Sequence, residues 1–142
     1  MAHNVYDVAE LVIASWKLAN DKERIPTSHG ILDRALKELL ASETDLPSWV
    51  RDNLTFADTR VGLRCLELPE ILDSAQENGL TSEPNPNYVT TAIKVDALIC
   101  RRMLRDLGVS EAAARRWGER VRLAATELLR QDQAHPVLIE VA

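Results

Sequence analysis

Aromatic residues, glycine and proline are all scarce in this chain. Phe, Trp and Tyr together make up 4% of its 142 residues, and there are only five glycines and six prolines. An extended β architecture with many turns needs more turn-forming residues than these. The scarcity predicts an all-α fold in one domain, residues 1–142, with a core of Leu, Val, Ile and Ala. The tryptophans Trp16, Trp49 and Trp117 lie at helical spacing among aliphatic neighbours and are expected to fill that core.

Residues that perform catalysis or bind metals are also few. The chain has two cysteines, Cys65 and Cys100, and three histidines, His3, His29 and His135. None of the histidines stands at metal-ligand spacing from a cysteine or from another histidine. A glycine-rich loop that could cradle phosphates is lacking as well. These gaps favour a protein that is not an enzyme and has no metal or cofactor, with both cysteines buried in a reducing compartment.

Neither a secretion signal nor a membrane span is visible in the sequence. The first ten residues have no basic start followed by a long apolar run, and charged residues interrupt every apolar stretch. The expected location is therefore the cytoplasm, and no membrane partner is expected.

The charge is negative as a whole but unevenly distributed. Net charge at pH 7 is −5; eight basic and fifteen acidic residues leave −7 on residues 1–93, whereas nine basic and five acidic residues leave +4 on residues 94–130. A basic segment on an acidic body can bind nucleic acid, an acidic partner or its own acidic half. The last option is favoured because it needs no ligand. Opposite charges at helical spacing form the expected local pairs Glu111–Arg115, Glu119–Arg122 and Glu127–Arg130.

Apolar residues recur at helical spacing over most of the chain. Asn4 is the expected N-cap of the first helix, and Asp45 is the expected cap of a short third helix. Residues 60–66 are open to two interpretations: their polar and apolar residues alternate as in a strand, but helix is favoured because the neighbouring segments are helical. The expected helices cover residues 5–19, 27–41, about 46–54, 55–68, 69–78, 87–107 and 111–131. Five to seven helices in one bundle follow.

The dominant feature of the predicted bundle is a long C-terminal antiparallel hairpin over residues 87–131. Two apolar stripes at steps of three and four residues flank a Gly-Val-Ser turn. Gly108 can close the first helix in the left-handed conformation, and Ser110 can cap the second. The hairpin is the favoured interpretation of this segment.

The same turn also resembles a helix-turn-helix DNA-binding motif, in the segment LRDLGVSEAAARRW. The motif wants apolar residues at fixed positions around a turn glycine, and Met103, Leu107, Val109, Ala114 and Trp117 occupy those positions around Gly108. Leu104, however, stands where the motif usually has a small residue. The resemblance implies that Ser110, Glu111, Arg115 and Arg116 face the major groove, and that Arg101, Arg102 and Arg120 contact phosphates.

A second resemblance concerns paired arginine and histidine residues. Helical HEPN ribonucleases carry an Arg and a His with four to six residues between them, and the two together can polarise a phosphodiester. Arg24 with His29 and Arg130 with His135 have this separation. The resemblance implies ribonuclease activity, whereas the favoured interpretation makes both histidines surface residues near helix ends.

The segment 131–142 ends in the apolar run VLIEVA. An apolar run of this kind is expected to dock on its own domain, to pair as a strand with residues 60–66 or to cross to another subunit. Broad apolar helix faces and the lack of catalytic groups favour a non-catalytic cytoplasmic adaptor or regulatory protein. Such a protein would act through protein–protein contacts and form homo-oligomers. A DNA-binding regulator is the first alternative and a HEPN-like ribonuclease the second.

Overall fold

The computed structural model describes residues 3–20, 24–27, 30–82 and 90–134, apart from the side chains of the last two residues. This part of the chain is mostly helical and contains six helices, a number within the predicted range, and two small antiparallel strand pairs. The helices are α1 (Val5–Asn20), α2 (Ile31–Ser42), α3 (Ser48–Asp52), α4 (Leu68–Glu77), α5 (Ala97–Leu107) and α6 (Glu111–Ala134). The strands are β1 (Ile25–Pro26), β2 (Phe56–Thr59), β3 (Gly62–Cys65) and β4 (Thr90–Thr91).

Helix α1 lies at the centre of the fold. Its first turn is capped reciprocally, because the Asp7 amide donates to Asn4 Oδ1 (3.1 Å) and the Asn4 amide donates to Asp7 Oδ2 (3.0 Å). Helices α4, α5 and α6 all pack against α1, and its apolar side chains are buried around most of its circumference. A helix with so much apolar surface needs to be covered on several sides. The predicted first helix and its cap are confirmed.

The crossing of α1 and α6 brings their backbones into contact at Gly118. A Cβ atom at this position would lie 2.0 Å from the backbone oxygen of Ser15. Any side chain would therefore push the two helices apart. The carbonyl oxygen of Gly118 also accepts a hydrogen bond from Asn20 Nδ2 (3.2 Å), which ties the same helices together.

Helix α2 packs lengthwise against α6 and runs in the opposite direction. Near its beginning, Arg34 Nη2 lies 3.2 Å from Asp132 Oδ2 at the far end of α6. Just after its end, Glu43 Oε1 lies 3.0 Å from Arg116 Nε near the start of α6. The helix begins at Ile31, three to four residues later than the sequence predicted.

The short helix α3 is preceded by Pro47, and the predicted cap Asp45 does not act as one. The Asp45 carboxylate instead accepts a hydrogen bond from Trp117 Nε1 (3.1 Å) and pairs with Arg116. The side chain thus binds α6 rather than the amides of its own helix. The prediction of an Asp45 cap was wrong because a partner distant in sequence competes for the carboxylate.

Residues 60–66 do not form a helix, which corrects the favoured interpretation of this segment. Strands β2 and β3 pair antiparallel across a two-residue turn. Gly62 follows that turn with φ of 103°, a value that L side chains rarely adopt. The Cys65 amide donates to the buried carboxylate of Asp33 in α2 (2.7 Å), which fastens the strand pair to the helix. The alternating pattern was therefore the better guide.

The long antiparallel hairpin predicted over residues 87–131 is not found either. Helix α5 begins only at Ala97, where Asp96 Oδ1 accepts a hydrogen bond from the Ile99 amide (2.9 Å). Residues ahead of it are extended: β4 pairs with β1, and Ile93 bridges to Thr81. β-Branched side chains are numerous there and favour this conformation. Helices α5 and α6 pack mainly on α1 and contact each other little beyond their turn.

The buried apolar side chains form a continuous cluster to which all six of the described helices contribute. None of these helices combines the length and the low polarity that spanning a membrane requires.

Candidate functional site

The turn between α5 and α6 has the chemistry that the sequence predicted. Gly108 takes the left-handed conformation at the end of α5, with φ of 73°. Ser110 Oγ accepts a hydrogen bond from the Ala113 amide in the first turn of α6 (3.2 Å). The hydroxyl oxygen that the helix-turn-helix hypothesis assigns to a DNA base therefore already caps a helix.

Glu111 forms ion pairs with two of the arginines that the same hypothesis assigns to DNA. Its Oε1 lies 2.7 Å from Arg101 Nε, and its Oε2 lies 2.8 Å from Arg115 Nε. Hydrogen bonds from Arg101 and then from Arg115 hold the pKa of Glu111 below its usual range. Arg115 Nη1 also donates to the carbonyl oxygen of Leu18 (2.5 Å), so this side chain joins α6 to the end of α1.

Arg116 lies between two carboxylates that precede α3. Its Nε is 3.0 Å from Glu43 Oε1, and its Nη2 pairs with Asp45. The hydrogen bond from Trp117 is the largest cause that holds the pKa of Asp45 below its usual range, and the bond from Arg116 adds to it. The pKa of Arg116 is raised in turn, chiefly by Asp45. The guanidinium thus binds the acidic part of its own chain.

Arg102 and Arg120 differ from these arginines. Both are exposed, and neither has a hydrogen bond or ion pair with any residue that the structure describes. Of the seven residues that the DNA-binding hypothesis names, these two alone remain available without breaking a contact. The five engaged residues are Ser110, Glu111, Arg101, Arg115 and Arg116.

A groove of about 610 Å³ runs between α2 and the second half of α6. Leu123, in the middle of α6, has 48% of its surface exposed there. Charged side chains of both signs border the groove, including Arg120 and Glu127 from α6 and Lys37 and Glu38 from α2. Such a mixture suits a segment of protein better than a polyanion. The apolar lining residues are Ala41, Leu63, Leu123, Ala124 and Leu128.

A second, much smaller cavity of about 20 Å³ lies where α1, α2 and α6 meet. Its lining is almost wholly apolar and includes Trp16 and Trp117. Ser15 Oγ is the exception: it is buried without a hydrogen-bond partner among the described residues. A water molecule needs two to four polar partners, and one hydroxyl does not supply them. The cavity is therefore a packing gap at the helix crossing.

The tryptophans largely fill the core, as predicted. Trp16 and Trp117 are buried. Trp49 is only partly buried, and its ring stacks on that of His3 with centroids 4.3 Å apart. These contacts give the three indoles a structural role in the described part of the chain.

Metal-ligating side chains do not cluster in the described part of the chain. No three His, Cys, Asp or Glu side chains within it converge as metal ligands would. Cys65 and Cys100 are buried, and desolvation raises the pKa of each thiol to about 11, so both are neutral near pH 7.

The ribonuclease hypothesis rests on His29 and His135, and both lie outside the described residues. Their partners in sequence have other contacts. Arg24 Nε donates to Thr90 Oγ1 (2.7 Å), and Arg130 pairs with Glu127 at 2.5 Å. The predicted Arg–His pairs therefore stay a prediction.

Two contacts that organise these surfaces were missed by sequence reasoning. In one, the Asp33 carboxylate accepts a hydrogen bond from the Cys65 amide, and in the other, Glu43 and Asp45 pair with Arg116. Asp33 is followed by Arg34 and lies four residues before Lys37, a pattern typical of a solvated helix face, so no signal in the sequence pointed to the first contact. The second contact links residues more than seventy positions apart and leaves no local pattern.

Comparison with known proteins gives no relative for this arrangement: no family model, curated protein or solved structure matches the chain significantly.

Proposed function

We propose that this chain is a small non-catalytic adaptor or regulatory protein of the cytoplasm, which binds another protein in the groove between α2 and α6. The observation that carries the proposal is the exposed apolar lining of that groove, bordered by charges of both signs. Grooves of this kind accept an amphipathic helix or an extended strand, with apolar anchors inside and polar contacts at the edge.

The state of the arginines favours this proposal over DNA binding. Arg115 and Arg116, the proposed base readers, would have to give up contacts with Glu111, Glu43 and Asp45 before they could bind DNA. Losing the partner of a charged group has a cost that a new contact must first offset. Together with a net charge of −5, this weakens attraction to a polyanion.

Site-specific photocrosslinking tests the groove directly. A photoreactive residue placed at Leu123 should form a discrete adduct with a partner protein in the native cell, because this side chain lines the groove. The matched control is the same residue at Val61, which is 70% exposed at the tip of the β2–β3 turn. A Leu128→Asp change should abolish the Leu123 adduct. Equal labelling from both positions, or an adduct that survives Leu128→Asp, would contradict the proposal.

In this proposal the contact between copies in the predicted homo-oligomer uses a different surface, on α5. Leu98 and Ile99 are exposed on α5, Leu98 by 65%. A second copy that covers this face would bury both side chains. Sedimentation equilibrium should show a dimer that Leu98→Asp dissociates and Leu123→Asp leaves intact. A monomer at all concentrations would remove the homo-oligomer from the proposal.

DNA binding remains the second candidate, because the turn chemistry at Gly108 and Ser110 is present and Arg102 and Arg120 are available. Fluorescence anisotropy with duplex DNA at low salt decides between the two. Salt-dependent binding that is lost in Arg102→Ala/Arg120→Ala would support this candidate. If the chain is an adaptor, it should bind duplex DNA no more tightly than an acidic control protein of scrambled sequence does.

A further inference from the structure

We propose that residues 137–141 of the same molecule occupy the groove between α2 and α6, so that a partner protein must displace them. This proposal deepens the proposed function and depends on it only for the partner. The occupancy itself rests on the groove, on the place where α6 ends and on the chemistry of the segment.

The end of α6 and the end of the groove coincide. Helix α6 ends at Ala134, and the last groove residue on it is Gln131, a single turn earlier. At that end Arg34 of α2 pairs with Asp132, so the neighbouring helix also lies beside the point where the chain leaves α6. The chain after Ala134 therefore starts beside the Gln131 end of the groove, which we call its mouth.

The sequence after Ala134 favours a change of direction at that point. His135 is followed by Pro136, which has no amide hydrogen to continue a helix. Proline also disfavours the helical conformation of the residue before it. The chain is thus expected to leave the helical path within two residues of the mouth.

The lengths agree as well. The α6 side of the groove runs from Arg120 to Gln131, and eleven residues at the helical rise of 1.5 Å give about 16 Å. Residues 137–141 in an extended conformation span roughly 13 Å at about 3.3 Å per residue. The segment therefore fills most of the groove when it runs back along α6.

The side chains of the segment match the groove in polarity. Val137, Ile139 and Val141 alternate with Leu138 and Glu140, so in an extended conformation the first three share one face. That face is apolar, as are the leucines and alanines that line the groove.

Glu140, on the other face of the segment, also finds a complement. Running back along α6 brings Glu140 toward the end of the groove that carries Arg120. This arginine is exposed and has no ion pair with the described part of the chain. An opposite charge beside it would satisfy both groups.

Attachment to the same chain decides between self-docking and exchange with a second copy. A connector of two residues keeps the segment at an effective concentration in the millimolar range or above near the groove. The same segment of a second molecule, present at micromolar concentration, is about a thousandfold less concentrated near the groove. The expected occupant is therefore the molecule's own segment.

Methyl NMR of the full chain tests this occupancy. Nuclear Overhauser effects are expected between the Ile139 methyl groups and those of Leu123 and Leu128, unchanged on dilution. Ile139→Asp should shift the methyl resonances of Leu123 and Leu128, because an aspartate does not dock on an apolar lining. Leu138→Asp, one residue away on the opposite face, is the matched control and should retain the Overhauser effects of Ile139.

Three results would overturn the proposal. The first is the absence of any Overhauser effect between Ile139 and the groove leucines, and the second is an equal disturbance of the leucine resonances by Ile139→Asp and Leu138→Asp. The third is an effect seen only between labelled and unlabelled molecules in a mixed sample, which would assign the groove to a second copy. The measurement needs no partner protein, so its failure is distinct from failure of the Leu123 photocrosslink, which tests the proposed function.

Discussion

Replacing Gly118 by alanine tests the close crossing of α1 and α6, the two helices against which α2, α4 and α5 pack. The added Cβ atom would meet the Ser15 carbonyl oxygen at 2.0 Å and its carbonyl carbon at 2.5 Å. Both are backbone atoms, so no rotation of a side chain relieves the overlap. To reach an ordinary contact of about 3.4 Å, α1 has to retreat by roughly 1.4 Å, a shift that forfeits much of the dispersion energy along the interface.

The expected magnitude follows from two opposing terms. Overpacking of a core by one carbon costs about 1–3 kcal/mol, and a backbone clash belongs at the upper end of that range. Alanine in place of a helical glycine returns about 1 kcal/mol through its better helix propensity. The net loss in the free energy of unfolding is about 2 kcal/mol, which for a chain of this length lowers Tm by roughly 6–10 °C.

Urea unfolding followed by circular dichroism measures this loss, with Glu119→Ala as the control. Glu119 is the next residue on α6 and is exposed, so its replacement should change stability by less than about 0.5 kcal/mol. A Gly118→Ala variant as stable as the parent, or more stable by the propensity difference alone, would show that α1 and α6 do not cross in backbone contact.

Three further predictions concern single polar groups. Ser15→Ala removes a buried hydroxyl without a hydrogen-bond partner among the described residues, so the free energy of unfolding should rise by up to about 1 kcal/mol; a decrease would mean that the hydroxyl has a partner. Asp33→Ala leaves the Cys65 amide without its acceptor and should cost about 2 kcal/mol in urea unfolding, whereas Asp33→Asn, which can still accept that bond, should cost clearly less. Glu111 has a folded pKa below its unfolded value near 4, so its contribution to stability is present above that pH and is lost as the pH falls through the folded pKa. The urea midpoint should therefore drop between about pH 5 and pH 3, less steeply in Glu111→Gln; identical slopes would show that the arginine contacts of Glu111 do not persist in solution.

Features set by a few neighbouring residues were predictable from the sequence. The cap of α1, the left-handed Gly108 and the cap by Ser110 all involve groups within three residues of each other. The local ion pairs show the limit of such rules. The predicted pairs Glu111–Arg115 and Glu127–Arg130 are present, but Glu119–Arg122 is absent from the ion pairs of the described residues.

The errors arose where distant parts of the chain decide the local structure. Residues 60–66 became a strand because a paired strand and the Asp33 carboxylate satisfy their backbone, neither of which a local pattern reveals. The residues ahead of Ala97 became extended because β1 offers them hydrogen bonds. The spacing of the apolar residues there fits a helix and a strand equally well. The prediction of the long hairpin therefore rested on an ambiguous pattern.

The position of the groove could not be predicted at all. It requires α2 to run antiparallel along α6 and Leu63 of β3 to reach the same place. The exposed leucine at position 123 looks like any other member of an amphipathic helix until α2 is placed beside it. Only the apolar run after Pro136 pointed toward such a surface, because it needed somewhere to dock.

The uneven charge of the chain has a physical explanation that needs no ligand. Arg116 of the basic segment reaches the acidic residues Glu43 and Asp45 in the acidic half of the chain. The basic segment therefore serves in part as the counterion of its own domain. If so, Arg116→Gln should lower Tm at low ionic strength, about 0.05 M NaCl, and the difference from the parent should shrink at about 1 M NaCl because salt screens exposed ion pairs. A variant that keeps its Tm at low salt but loses affinity for duplex DNA would instead make Arg116 a ligand-binding residue, and would move the DNA-binding candidate ahead of the adaptor.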